Sequence, residues 1–357
     1  MSEERRVQIR ALKQSLADQD SIDSGSDSGN ESGSKSGSSS GTFMDRLMNT
    51  RWPCLCCYND LPEFQKENEW IHNGYRKGWS VFAHLLSVFY PFHNESVNIW
   101  THLIGFVVCA IVMFGVSKDV PRNPRMAFDL IRERATSFEI DKIFKHTNPR
   151  ALLEPLCRWP VYSFLGGAMV CLGGSAFAHS LNGISRQSNY ALWRLDYIGI
   201  VALIACSFFP PIYYGFICHP IWRVFYLGTI ISIAVSIILM MFHKKFHSER
   251  WRMLRVWLFT GMGLSGLVPW LHSFCLHYQT PLAMQAAIQM LMMAASYLGG
   301  VVFYAARVPE RWLPGKFDFA FNSHQIWHVA VLLGVFNHYK ATMSLVAWRE
   351  IDRSCIF

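Results

Sequence analysis

From Asn98 onward, apolar stretches of about 20 residues alternate with short polar breaks, and that length suits a ~30 Å hydrocarbon core. Seven such stretches are present: Asn98–Ser117, Val161–Leu181, Tyr197–Phe216, Val224–Phe242, Val256–Leu276, Leu282–Ala306 and Gln325–Ala347. Within them the only Lys, Arg, Asp or Glu is Lys340, close enough to its end for the ammonium to snorkel to the interface. Seven helices of a soluble core would rarely be so uncharged, so the pattern predicts an all-α, seven-transmembrane helix bundle. Pro210-Pro211 and Pro269 predict kinks in the third and fifth spans. Upstream, Trp79 to Tyr90 is too short to cross but aromatic and amphipathic enough to lie along the interface. Residues 20–42 are Ser, Gly and acids with Ile22 as the sole aliphatic, a composition that cannot repay the entropy of ordering. The expected division is a disordered tail over 1–50, a juxtamembrane segment with a short interfacial helix over 51–97, the transmembrane domain over 98–347 and a short tail over 348–357. No charged n-region and cleavage site precede these spans, so the first span is expected to target the chain.

Composition agrees with the pattern: 51% of residues are hydrophobic, 15% are aromatic and mean hydropathy is positive. The net charge of +8 does not point to nucleic acid, because the basic residues sit in loops and flanks beside apolar spans. They read as topology signals. With the N-terminus inside, the inner short segments hold twelve Lys and Arg and the outer ones three, Arg223, Arg349 and Arg353. This predicts a cytosolic N-terminus and an extracellular C-terminus. The loop from Lys118 to Pro160, with nine basic residues against six acids, runs the other way, but long loops obey the rule weakly. The ten cysteines form no small-domain disulfide framework, and Cys54, Cys56 and Cys57 read as a reduced cytosolic cluster.

Alternation of seven spans places the start of the first, the end of the second, the start of the third and the start of the seventh on one membrane face. The unusual polar residues fall at those four places: Glu95, Asn98 and His102; Ser175 and His179; Asp196; His324 and His328. Residues four apart on a helix share a side, which pairs Ser175 with His179 and His324 with His328. A His-x3-His pair and a third imidazole from another helix make a catalytic-type zinc set with a fourth position open to water. Imidazole nitrogens favour zinc over magnesium or calcium. Asp196 and Ser175 could hold or deprotonate that water, or orient a ligand imidazole. The plainer alternatives are a helix N-cap for Asp196 and a backbone-bonded hydroxyl for Ser175. His84, His272 and His338 read as hydrogen-bonded packing residues.

These residues carry a resemblance. The chain resembles the progestin and adipoQ receptor family, most closely the adiponectin receptors, with wider likeness to hemolysin III and the alkaline ceramidases. The matching stretches are His93-Asn-Glu-Ser-Val-Asn-Ile-Trp-Thr-His102, Ser175-Ala-Phe-Ala-His179, Leu195-Asp-Tyr-Ile-Gly-Ile200, Gly263-Leu-Ser-Gly-Leu-Val-Pro269, Tyr304-Ala-Ala-Arg-Val-Pro-Glu-Arg311, and Pro314-Gly-Lys-Phe-Asp318 leading into Ser323-His-Gln-Ile-Trp-His328. The resemblance covers roughly Trp70 to Trp348. It implies a receptor with a cytosolic N-terminus, opposite in orientation to G-protein-coupled receptors, holding zinc through His179, His324 and His328 with Asp196 and Ser175 beside its water. It also implies control of lipid metabolism or membrane lipid homeostasis, and zinc-dependent amide hydrolysis of a ceramide-type lipid. The implied partners are a membrane lipid such as ceramide or a fatty acid, an extracellular hormone-like ligand and, in some assemblies, a second copy of the chain. The implied location is the plasma membrane, with an endomembrane as the alternative. A non-catalytic receptor stapled by a structural zinc fits the same residues. The charged loop after the first span and the Ser/Gly tail depart from the adiponectin receptors.

Overall fold

The computed structural model describes residues 54–90, 92–118, 156–352 and 355. The tail over 1–50 and most of the charged loop after the first span lie outside that set. Among the described residues the fold is helical, with one isolated antiparallel bridge, Cys56 to Tyr75. A short helix, α1 (Val81–Leu86), is capped by Ser80, whose side chain accepts from the Ala83 amide. It lies within the stretch expected at the interface and exposes Val81, Phe82 and Leu85.

The first spans follow as α2 (Ser96–Lys118) and α3 (Trp159–Leu181), the latter opened by Pro160, where a missing N–H costs nothing. The third span begins earlier than its apolar run: α4 (Arg186–Ser207) starts from a Ser185–Ser188 capping box. Asp196 therefore stands inside a helix, which removes its reading as an N-cap. After Phe208 the chain continues as α5 (Phe209–Gly215), then α6 (Pro220–Met241). The fifth span, expected as one helix over Val256–Leu276, is two: α7 (Arg252–Leu264) and α8 (Leu267–His277). Pro269 has no N–H to return to the Ser265 carbonyl, and the helix gives way there. The proline kinks thus divide the helices into shorter segments, and they face each other. A Cβ on Gly266 would stand 3.0 Å from the Phe208 ring. The last spans are α9 (Pro281–Ala306) and α10 (Ser323–Ile351).

Among the described residues, six helical stretches are each long and apolar enough to cross a membrane. The α7–α8 pair makes the seventh passage. Arg255 near its start donates to the Phe246 and Ser248 carbonyls, while His277 at its end meets the Gly215 carbonyl at the opposite end of the bundle. The α3–α4 and α9–α10 pairs pack most extensively, and α2 lies against both α3 and α10. Without a hydrophobic drive between helices in lipid, close approach relies on small residues. Gly199 meets the Cys171 backbone so closely that an added Cβ would stand 2.8 Å from its Cα. Gly334 makes room for the Tyr297 ring, 2.4 Å from where a Cβ would be.

The segment from Cys54 to Asn94 straps the end of the bundle where α3 finishes and α10 begins. Asp318 accepts from the His72 amide at 2.8 Å and from Asn73 at 2.9 Å, and the Gly315 amide donates to the Trp70 carbonyl. Buried Arg76 donates to the His179 carbonyl at 2.7 Å and the Ser180 carbonyl at 2.9 Å, filling acceptors left open in the last turn of α3. Burial lowers its pKa to about 10, with Glu95 opposing, so it stays charged. At the start of α10, Asn322 accepts from the Gln325 amide. Buried Glu310 accepts from the Ser323 amide at 2.7 Å, from the Ser323 hydroxyl and from Asn68. At the opposite end, Arg349, expected as a flanking charge, is 1% exposed and donates to the Tyr214 carbonyl. Cys218 and Cys355 form a disulfide there, which cysteine spacing gave no reason to expect.

Two stability outcomes follow. Gly199→Ala forces α3 and α4 apart and costs about 1–3 kcal/mol, read as a lower melting temperature in detergent. Glu310→Ala leaves the first amides of α10 without their charged acceptor and costs about 2 kcal/mol, by the same measurement.

Candidate metal centre

The four places that alternation put on one face converge. His179 stands in the last turn of α3, His324 and His328 on the first turns of α10, and one ligand nitrogen from each lies within 4.8 Å of the others. His179 Nε2 and His324 Nε2 are 3.2 Å apart. Two nitrogens on a tetrahedral zinc, each at 2.0–2.1 Å, would be separated by about 3.3 Å. The donor set therefore fits zinc in number and chemistry, and the His179–His324 pair fits it in spacing. The rings meet edge-on or tilted, with centroids 5.1, 4.9 and 4.8 Å apart, as rings aimed at one point would.

A second layer surrounds them. His179 Nδ1 lies 2.8 Å from Glu95 Oε2, and that carboxylate also accepts from Asn98 at 2.6 Å and Asn182 at 3.2 Å. His328 Nδ1 meets the Asn98 carbonyl at 3.1 Å, and His102 stacks on the His328 ring at 3.7 Å. Trp193 sets its edge against His179. Asp196 on α4 is 7% exposed and interacts with the Ser175 hydroxyl, one turn before His179. Ser175 thus has a carboxylate partner as well as its place in the helix.

The residues expected at this site all line one cavity, and His179, His324 and His328 converge within it. Sequence reasoning placed Glu95 on the same face as the histidines but gave it no role, and it read Arg76 only as one of the inner topology charges. The signal for Glu95 was its position three residues before an uncharged span, where a carboxylate needs a reason to be. The histidines read as packing residues are that: His84 lies between the Ser80 and Asn182 carbonyls, His272 meets the Tyr226 hydroxyl at 2.9 Å, and His338 meets the Met293 sulfur.

A cavity of about 590 Å³ opens beside the three imidazoles, well within the range of small-molecule pockets. Its lining begins at the strap with Gln65 and Asn68, passes Ser175, His179, Asp196, His324 and His328, and continues between apolar walls to Ser273 and Leu345. A stretch of α10 from His324 to Leu345 spans about 30 Å, so the cavity follows the bundle for most of its height.

Comparison with known proteins agrees with a bundle of seven spans. Residues 90–339 match the haemolysin-III-related family. Heptahelical transmembrane protein 4 of Arabidopsis thaliana is 36% identical over 343 residues, covering 83% of this chain and 89% of the relative. Heptahelical transmembrane protein ADIPOR3 of Oryza sativa subsp. japonica is 33% identical over 367 residues, covering 83% and 91%. The adiponectin receptor protein of Drosophila melanogaster is 30% identical over 314 residues, covering 88% of this chain and 64% of the relative. The chain is an integral multi-pass membrane protein belonging to the haemolysin-III-related family, among its heptahelical, adiponectin-receptor-like members.

Proposed function

We propose that this protein is a zinc-dependent receptor of the adiponectin-receptor type that hydrolyses a ceramide-like lipid amide at its three-histidine site. The observation that carries the reading is the arrangement of His179, His324 and His328 around one point, with the Ser175–Asp196 pair beside it and a long cavity opening onto it. Zinc held by the three imidazoles supplies a Lewis acid that polarises a carbonyl and makes water acidic enough to lose a proton near neutral pH. The protein's residues supply the rest. The Asp196 carboxylate accepts a proton from the attacking water and returns it to the departing amine nitrogen. The Ser175 hydroxyl orients Asp196 by donating to it. Apolar cavity walls hold the acyl chain with its amide at the site, and the strap from Cys54 to Asn94 limits entry of bulk water from that end.

The membrane orientation that goes with this reading puts the site toward the cytosol. Support comes from the Cys218–Cys355 disulfide at the opposite end of the bundle, since disulfides persist in oxidising compartments. The unpaired cysteines Cys54, Cys56 and Cys57 lie on the strap at the site's end. The twelve-to-three bias of basic residues points the same way.

One observation favours a second reading, a receptor in which zinc is structural. α3 and α10 each lie along α2, so an ion bridging His179 to His324 and His328 would staple two helices held together largely through a third. Substitution of Asp196 separates the two readings. In the hydrolytic reading, purified Asp196→Asn keeps its zinc and melting temperature but releases fatty acid from ceramide at least about 100-fold more slowly, the scale of a lost general base. Unchanged turnover in that variant, or in the His179→Ala, His324→Ala double variant, rules hydrolysis at this site out. Orientation is read separately. In intact cells, the reduced protein's Cys218 is expected to react with a membrane-impermeant maleimide added outside, and Cys57 is not; the reverse labelling overturns the assignment.

A further inference from the structure

We infer that Glu95 and the opening turn of α2 set the tautomers of two of the three imidazoles, His179 and His328, with Glu95 the positioning residue for His179. The inference rests on the zinc reading above and adds a requirement to it. A neutral imidazole carries one N–H and one lone pair, and the partner of one nitrogen decides which the other presents. Glu95 Oε2 lies 2.8 Å from His179 Nδ1, and an ionised carboxylate only accepts. Nδ1 therefore carries the proton, and Nε2 is left with its lone pair toward the ion site. The Asn98 carbonyl, which also only accepts, does the same for His328 through Nδ1 at 3.1 Å. The Thr101 hydroxyl has the Val97 and Asn98 carbonyls as acceptors for its single proton, which leaves its oxygen able to accept from His328 Nδ1 at 3.4 Å.

One residue joins the two contacts. The Asn98 side-chain amide donates to Glu95 at 2.6 Å while the Asn98 backbone carbonyl accepts from His328. Asn182, just past the end of α3, donates to the other carboxylate oxygen at 3.2 Å. Both oxygens of Glu95 are thereby occupied, and the carboxylate cannot turn away from His179 without losing two amide donors. The 3.2 Å between His179 Nε2 and His324 Nε2 gives this preference a consequence. Two lone pairs at that distance repel unless a proton or a cation lies between them. By keeping the His179 proton on Nδ1, Glu95 holds a lone pair ready at the metal position. Its negative charge also raises the basicity of the imidazole as a ligand.

The test uses the purified full-length protein with Glu95→Gln, which keeps the size and hydrogen-bonding reach but removes the charge and the obligatory acceptor. Zinc affinity, measured by competition with a chelator, is expected to weaken about 10- to 100-fold, the usual scale for such partners. The zinc-free melting temperature is expected to match that of zinc-free wild type. Wild-type affinity in the variant, or a fall in zinc-free melting temperature with affinity intact, overturns the inference in favour of a structural link between α2 and α3. A second measurement does not depend on the variant folding. In 15N-histidine-labelled, zinc-free wild type, with signals assigned by His179→Ala and His328→Ala, both rings are expected as the Nδ1–H tautomer; Nε2–H rings overturn it. Wild type that binds no zinc overturns the zinc reading instead, while the NMR result still decides the tautomers.

Discussion

A histidine side chain is short and its ring rigid, so three rings from two helices meet at a point only if both helix ends are held in place. His179 is in the final turn of α3 and His324 is the second residue of α10. Helix ends are where backbone groups lack partners, and in apolar surroundings those groups must be met from within the protein. Arg76 meets the carbonyls at the end of α3, and Glu310 and Asn322 meet the amides at the start of α10. The strap that carries Arg76 also reaches Glu310 through Asn68 and Asp318 through His72 and Asn73. The caps of the two ligand-bearing helices are therefore parts of one network, and the site inherits its rigidity from them.

The same network explains why charged residues are tolerated so close to the membrane. Glu95, Arg76, Glu310 and Arg349 are buried or nearly so, and each meets partners of the complementary kind: amides for the carboxylates, and carbonyls, with Asp352 at Arg349, for the guanidinium groups. Deeper in the bundle the polar demand falls and packing takes over. There the glycines at 199 and 334 admit a neighbouring backbone or ring, and the facing interruptions at Phe208 and Gly266 occupy the middle of the cavity wall. Two broken helices side by side leave more room than two straight ones. That places the cavity along the less tightly packed half of the bundle, while the α3–α4 and α9–α10 pairs form its firm side.

Much of this was legible along the chain. The number of crossings followed from apolar length, because hydrocarbon thickness is a fixed ruler and a buried charge is costly. The common face of His179, Asp196, His324 and His328 followed from alternation alone, which needs no knowledge of packing. Pro210-Pro211 and Pro269 marked the two interruptions, since a missing N–H is a local property, but not that the interruptions would face each other.

What the tertiary structure decided is everything that depends on the distance between residues remote in sequence. The 3.2 Å between His179 and His324, the grip of Glu95 on His179, the reach of Arg76 to the end of α3 and the Cys218–Cys355 bond all join residues about 80 to 145 positions apart. Periodicity assigns a side chain to a face of its own helix and spans assign that helix to a membrane face, and both are repeating local signals. Which faces meet, and at what separation, depends on how small residues, breaks and caps let the helices approach. That is a property of the assembled bundle, and no stretch of the chain carries it alone.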